Sequence, residues 1–259
     1  MNEGDKKRVA AGLERIRTLE ELAFNAWPAF ETRVVGGWLL RYADGETKRA
    51  NSLNAWQPCI PLDDVLGEAR AYYAGQGQDL IVRVTPLAGD DADQNLAERG
   101  MTLRDPSIVM VADCGVIAPA GTAASIDIAQ SPVPEWIEPM SRIGGQPAEA
   151  ALRHNRMLGL IRPPVAFASI RDDEGILVAW GLAVVERGAV GLFDILTHPD
   201  FRRQGLGRKL VAGLMGWGQT RGAHRAYLQV EASNGRAIQL YRQLGFAEAY
   251  RYHYRIAPR

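Results

Sequence analysis

Between Val190 and Trp217 an apolar run, VGLFDIL, passes through THPDFRRQGLGRK into a second apolar run, LVAGLMGW. The first run is short, β-rich and closed by Pro199, which has no N–H to give a ladder, so it predicts a buried strand over VGLFDILT. The second carries apolar positions at helical spacing and predicts a helix from Gly205 to about Arg221. A strand (RAYLQVE), a helix (Asn234 to Leu244) and a strand (FAEAYRYHYRI) follow. Upstream, VAFASI and ILVAWGLAVVE flank the turn RDDEG, after helical segments over roughly Pro134 to Leu158. Hairpins followed by strand–helix alternation define a mixed α/β half.

The segment CGVIAPAGTAAS is small, nearly uncharged and contains Pro and Gly, the composition of a linker. It divides the chain into domains over 1–114 and 126–259, joined by residues 115–125. The first domain reads as a helix near Val9–Asn25, a hairpin of GGWLLRYA and KRANSLNAW around DGET, and a helix at Leu62–Ala74. A strand at Leu80–Thr85, a helix at Ala92–Arg99 and a strand at Ser107–Ala112 complete it. One internal echo links the halves. VRVTPLAGDDADQNLAERGM and LQVEASNGRAIQLYRQLGF both run strand, polar turn, helix, Gly plus a large apolar residue.

Thirty Lys and Arg balance thirty Asp and Glu, so no global field favours nucleic acid or an anionic membrane, and neither is expected as a partner. Cys59 and Cys114 stand far apart without CxxC or histidine spacing, which argues against a disulfide framework and a metal site and suits the cytoplasm. The N-terminus is charged throughout and no run approaches a membrane span.

Any anion site is therefore local, and RRQGLGRKL has the means for one. A helix start exposes N–H groups without intrahelical partners and a partial positive charge. Gly205 and Gly207 remove side chains, while Arg202, Arg203 and Arg208 add charge. The alternative is a tight turn with solvated arginines. The spacing departs from GxGxxG and from GxxxxGK[ST], which disfavours NAD and ATP.

RRQGLG resembles the Q/R-x-x-G-x-G/A signature of the GCN5-related N-acetyltransferase (GNAT) superfamily, and LQVEASNGRAIQLYRQLGF resembles that family's second signature through Asn234, Tyr241, Gly245 and Phe246. The resemblance implies a GNAT fold in the C-terminal half, a mixed and mostly antiparallel twisted sheet flanked by helices, with a smaller degenerate α/β domain before it. It implies acetyl-CoA as co-substrate and no metal. The pyrophosphate would lie on the backbone amides of Arg203, Gln204, Gly205, Leu206, Gly207 and Arg208, with Arg202 in the Q/R position. The pantetheine arm would run along Ile195, Leu196 and Thr197 like an added strand, with Asn234 hydrogen-bonding it. Tyr241 would protonate the departing thiolate, and the N–H of Leu196 would polarise the thioester carbonyl.

The proton acceptor stays open. Gln229 stands where some relatives carry Glu, and an amide is no base. Glu231, two residues on, is one substitute. Asp194 is the other: alternation puts it with Leu192 and Leu196 on one face, opposite Phe193, Ile195 and Thr197, and partly desolvated; a salt bridge to an arginine is its competing role. His198 and His224 read as exposed turn residues, and His253 as core or acceptor-site lining. The acceptor would be a primary amine on a small molecule, protein or peptide, with its cleft where the halves meet and Trp38, Trp56 and Trp136 as wall candidates. A homodimer is among the assemblies allowed. The rival functions are a non-catalytic acyl-CoA sensor or scaffold and a transferase for a bulkier acyl donor.

Overall fold

A computed structural model describes residues 2–116, 126–131 and 148–258. They fall into two compact units, 1–108 with 231–233 and 249–259, and 109–230 with 234–248. The expected linker at 115–125 lies almost wholly outside the described residues, as does most of the helical stretch expected before Leu158.

In the first unit the chain runs α1 (Glu3–Ala26), β1 (Glu31–Val35), β2 (Trp38–Tyr42), β3 (Leu53–Ala55), α2 (Leu62–Gly75), β4 (Ile81–Val84) and α3 (Ala92–Glu98). The last strand, β11 (Ala247–Ile256), ends here too. The strands neighbour one another in the order β1-β2-β3-β4-β11. Only the β3–β4 pair is parallel among these. Trp38, Leu40, Leu53, Val65, Tyr73, Val82 and Leu96 form its apolar core. The linker composition puts 126–259 in one domain, whereas residues 249–259 group with the first unit. The reason is a ladder: His253 to Ile256 pair antiparallel with Val84 to Ile81. β1 was also missed, because an edge strand with mostly exposed residues has no apolar alternation to read.

The second unit contains β6 (Asp127–Ala129), α4 (Ala148–Leu158), β7 (Val165–Arg171), β8 (Leu177–Glu186), β9 (Ala189–Thr197), α5 (Leu206–Gln219), β10 (Arg225–Glu231, whose last residue groups with the first unit) and α6 (Gly235–Gln243). β6 to β9 form an antiparallel run, and β10 joins β9 in parallel. β5 (Thr102–Asp113) is divided between the units at Ile108. Helix α5 lies against β8 and β9 through Leu210, Leu214 and Gly218. A Cβ on Gly218 would stand 2.8 Å from Val190, so the bare backbone sets how closely the helix approaches.

The sequence echo is a structural one. At the end of α3 the Met101 N–H donates to Leu96 C=O (3.1 Å) and Gly100 N–H to Ala97 C=O (2.9 Å). At the end of α6 Phe246 N–H donates to Tyr241 C=O (3.0 Å) and Gly245 N–H to Arg242 C=O (3.0 Å). Both glycines are left-handed, at φ +74° and +81°, and both motifs bury the following apolar side chain.

Candidate functional site

The site begins where two strands part. β9 and β10 pair from Ala189–Arg225 to Leu192–Leu228, yet β9 continues to Thr197 and β10 to Glu231. At the parting point β9 bulges. Phe193 pairs with Leu182 and Leu196 with Trp180, so Asp194 and Ile195 together face Gly181, and Asp194 is left-handed at φ +49°. The extra residue cancels the uniform alternation read from sequence. Ile195 seats over Gly181, where a Cβ would lie 2.6 Å from its Cδ1, on the side of Leu210 and Leu214.

The bulge also decides which amides face the gap. His198 N–H donates to Val178 C=O at 2.9 Å, and bonded pairs alternate in an antiparallel ladder, so Leu196–Trp180 is the next bonded pair. Leu196 thus turns its N–H toward β8, which removes it as the carbonyl-polarising donor. The backbone groups of Ile195 and Thr197 face the open edge instead.

Beyond Thr197 the chain makes a short 3-10 turn at Pro199–Phe201 and reaches α5. Arg203 (φ +67°) and Gly205 (φ +79°) are both left-handed, and Gly205 is an N-cap without a side-chain capping bond. The first intrahelical bond in this turn is Lys209 N–H to Gly205 C=O, so the N–H groups of Leu206, Gly207 and Arg208 point out of the helix end. No acidic residue stands in that first turn. Gly207 has a packing role as well: a Cβ there would lie 3.3 Å from Leu240 Cδ2 and 3.7 Å from Thr197 Oγ1.

These pieces enclose a cavity of about 540 Å³ lined by Ile195, Leu196, Thr197, the loop residues Arg202, Arg203 and Gly205 to Arg208, and Asn234, Arg236, Ala237 and Leu240. Of the residues expected to hold a cofactor, Gln204 and Tyr241 are outside this lining. Four arginines and no carboxylate line it among the described residues. Arg236 was not anticipated, although a basic residue just after an Asn-Gly helix start was the available signal. Asn234 caps α6, its Oδ1 accepting from Ala237 N–H at 3.1 Å, which leaves its amide NH₂ to donate.

Tyr241 is buried against Phe246, with ring centroids 5.8 Å apart, and burial pushes its phenol up to about 12. Glu231 is exposed and accepts the Ser233 hydroxyl at 3.4 Å. Asp194 is engaged by a histidine rather than an arginine: His154 Nε2 of α4 lies 3.0 Å from its Oδ2. Forty residues of separation hid that pair from sequence reasoning. His253 also meets a carboxylate, with Nε2 2.6 Å from Asp93 Oδ1, where Arg255 also bonds and holds the Asp93 carboxyl below its usual range. Trp38 and Trp56 belong to the first unit, their indole N–H groups donating to Ile60 C=O and Glu21 Oε1. Trp136 lies outside the described residues.

The profile of a family described as "Probable histone acetyltransferase Rv0428c C-terminal" matches residues 14–255. A Bacillus subtilis protein named "Uncharacterized N-acetyltransferase YobR" is 30% identical over 248 residues, 94% of this chain and 99% of that one. A GCN5-related N-acetyltransferase from Kribbella flavida superposes with a TM-score of 0.68 at 21% identity, covering 95% of each chain. A tandem GNAT protein from the clavulanic acid biosynthesis pathway gives 0.60 at 15% identity, over 76% of this chain and 70% of that one. The two structures speak for the fold alone; the profile and the bacillar relative extend along nearly the whole sequence.

Proposed function

Since the chain belongs to the GCN5-related N-acetyltransferase superfamily, we propose that it moves the acetyl group of acetyl-CoA onto a primary amine, and that its second unit holds the donor. The observation carrying this reading is the coincidence, in one cavity, of an uncapped helix start, four arginines and an open strand edge. The residues present fit the donor's chemistry. A pyrophosphate needs convergent N–H donors and positive charge, and an amide-bearing arm needs unpaired backbone groups at a strand edge.

Bound acetyl-CoA supplies an activated thioester. Leu206, Gly207 and Arg208 offer their N–H groups to the pyrophosphate, joined by Arg203, Gln204 and Gly205 of the loop, and Arg202, Arg203, Arg208 and Arg236 add charge. Ile195 and Thr197 bond the pantetheine arm, and the Ile195 N–H takes the carbonyl-polarising role first given to Leu196. Asn234 donates its side-chain amide to the same arm. Tyr241, kept neutral by burial, gives its proton to the leaving sulfur. Glu231, exposed and weakly bonded, is the carboxylate left to take up the amine's proton.

The acceptor class is a primary amine of a small molecule, protein or peptide. The cytoplasm suits the two free cysteines, one exposed and one buried; no helix among the described residues is long and apolar enough to cross a membrane. The absence of any carboxylate from the described cavity lining favours one second reading, an acyl-CoA sensor without turnover. Free-thiol release from acetyl-CoA, measured across a panel of amines with wild-type and Tyr241→Phe protein, separates the two. Transfer requires amine-dependent release that the substitution lowers; tight CoA binding with no amine-dependent release identifies the sensor.

A further inference from the structure

The strand bulge that turns Ile195 and Thr197 toward the donor site is held from both faces. On one face Ile195 fills the notch over Gly181 beside Leu210 and Leu214. On the other, His154 reaches from α4 to the Asp194 carboxylate, Nε2 to Oδ2 at 3.0 Å, with side-chain exposures of only 8% and 17%. Asp194 needs such a partner, because a left-handed non-glycine residue persists only where its surroundings over-determine it.

We propose that His154 is a positioning residue for the acyl donor: through Asp194 it fixes the bulge, and so the direction of the Ile195 and Thr197 backbone groups that grip the pantetheine arm. Neither residue needs to touch the donor or exchange a proton with it. Asp194 therefore serves as a strut rather than as the base considered from sequence. The inference rests on the proposed donor site, and it gives a pair linking α4 and β9, forty residues apart, a function beyond cohesion.

The test uses the full chain with four substitutions, each checked for folding by circular dichroism. His154→Ala and Asp194→Ala remove the bond. His154→Gln keeps a donor near Nε2, and Asp194→Asn keeps an acceptor while removing the charge. The alanine variants should raise both KM for acetyl-CoA and the dissociation constant for CoA by about tenfold and lower kcat as well, since the misdirected backbone groups include the Ile195 N–H that polarises the carbonyl. His154→Gln and Asp194→Asn should each recover most of that loss. Should His154→Ala fail to fold, the Asp194→Asn and Asp194→Ala comparison carries the same decision. A fall in kcat alone, shared by Asp194→Asn and Asp194→Ala, would make Asp194 a base and overturn the proposal, as would an unchanged CoA affinity in His154→Ala. Failure of the wild type to bind CoA removes the donor site and this role together, whereas binding that the alanine variants do not weaken removes this role only.

Discussion

The two units repeat one succession of elements and differ at the points where chemistry would happen. β3, α2, β4 and α3 correspond in order to β9, α5, β10 and α6, and in each unit the strands flanking the first helix pair in parallel. Both second helices end in the same left-handed glycine motif, yet Leu96 stands in α3 where Tyr241 stands in α6. The first helices diverge at their starts. Helix α2 opens Leu62-Asp63-Asp64 behind Pro61, placing two carboxylates where the dipole is positive; α5 opens Leu206-Gly207-Arg208 behind Gly205. Acids stabilise the α2 end from within, while α5 leaves its end unsatisfied and ringed by arginine. A helix start can be spent on its own stability or left open to a ligand, and the proposed function assigns the second course to α5.

The largest effect is expected from giving α5 the opening of α2. The double substitution Gly207→Asp, Arg208→Asp should weaken CoA binding by about 10²-fold or more, because it replaces charge-assisted donation with repulsion. Calorimetric titration with CoA checks this, and retained affinity would mean the pyrophosphate lies elsewhere. Giving α6 the α3 residue comes next: Tyr241→Leu should lower kcat by about 10²-fold, the lower range for a lost general acid, and leave CoA affinity within about threefold. Steady-state thiol release reads that split. Because burial raises the phenol to about 12, Tyr241 should stay protonated through pH 10, and the wild-type rate should show no alkaline loss from this group below that pH.

The smallest change sharpens the division between backbone and side chain. Arg202→Ala should weaken CoA by about threefold at low salt and by less at high salt, as befits an exposed charge screened by ions. A loss matching that of the double aspartate variant would shift the main grip from the amides to a single guanidinium.

Much of this architecture was legible because it is local. The glycine loop, the strands beside it, the helix after it and the echo between the halves depend on residues within one turn or one strand of each other. The features missed depend on distance. The terminal strand joins the first unit because His253–Ile256 find Ile81–Val84, a pairing no local pattern encodes. The Asp194 bulge reverses which amides of β9 face the gap, and only the register against β8 reveals it. His154 likewise has no motif of its own: a histidine within α4 gains its meaning from the carboxylate it meets. β6, three residues with Ile128 exposed, offered no buried face to detect.

If the second unit alone keeps its helix start for CoA, the amides of α5 respond to the ligand and those of α2 do not. Amide hydrogen exchange of the full chain, with and without CoA, tests this without altering a residue. New protection is expected at Arg203–Arg208, Ile195 and Thr197, and none at the start of α2 around Asp63 and Asp64. Protection at α2, or saturating CoA that leaves the Arg203–Arg208 amides exchanging as before, would contradict it.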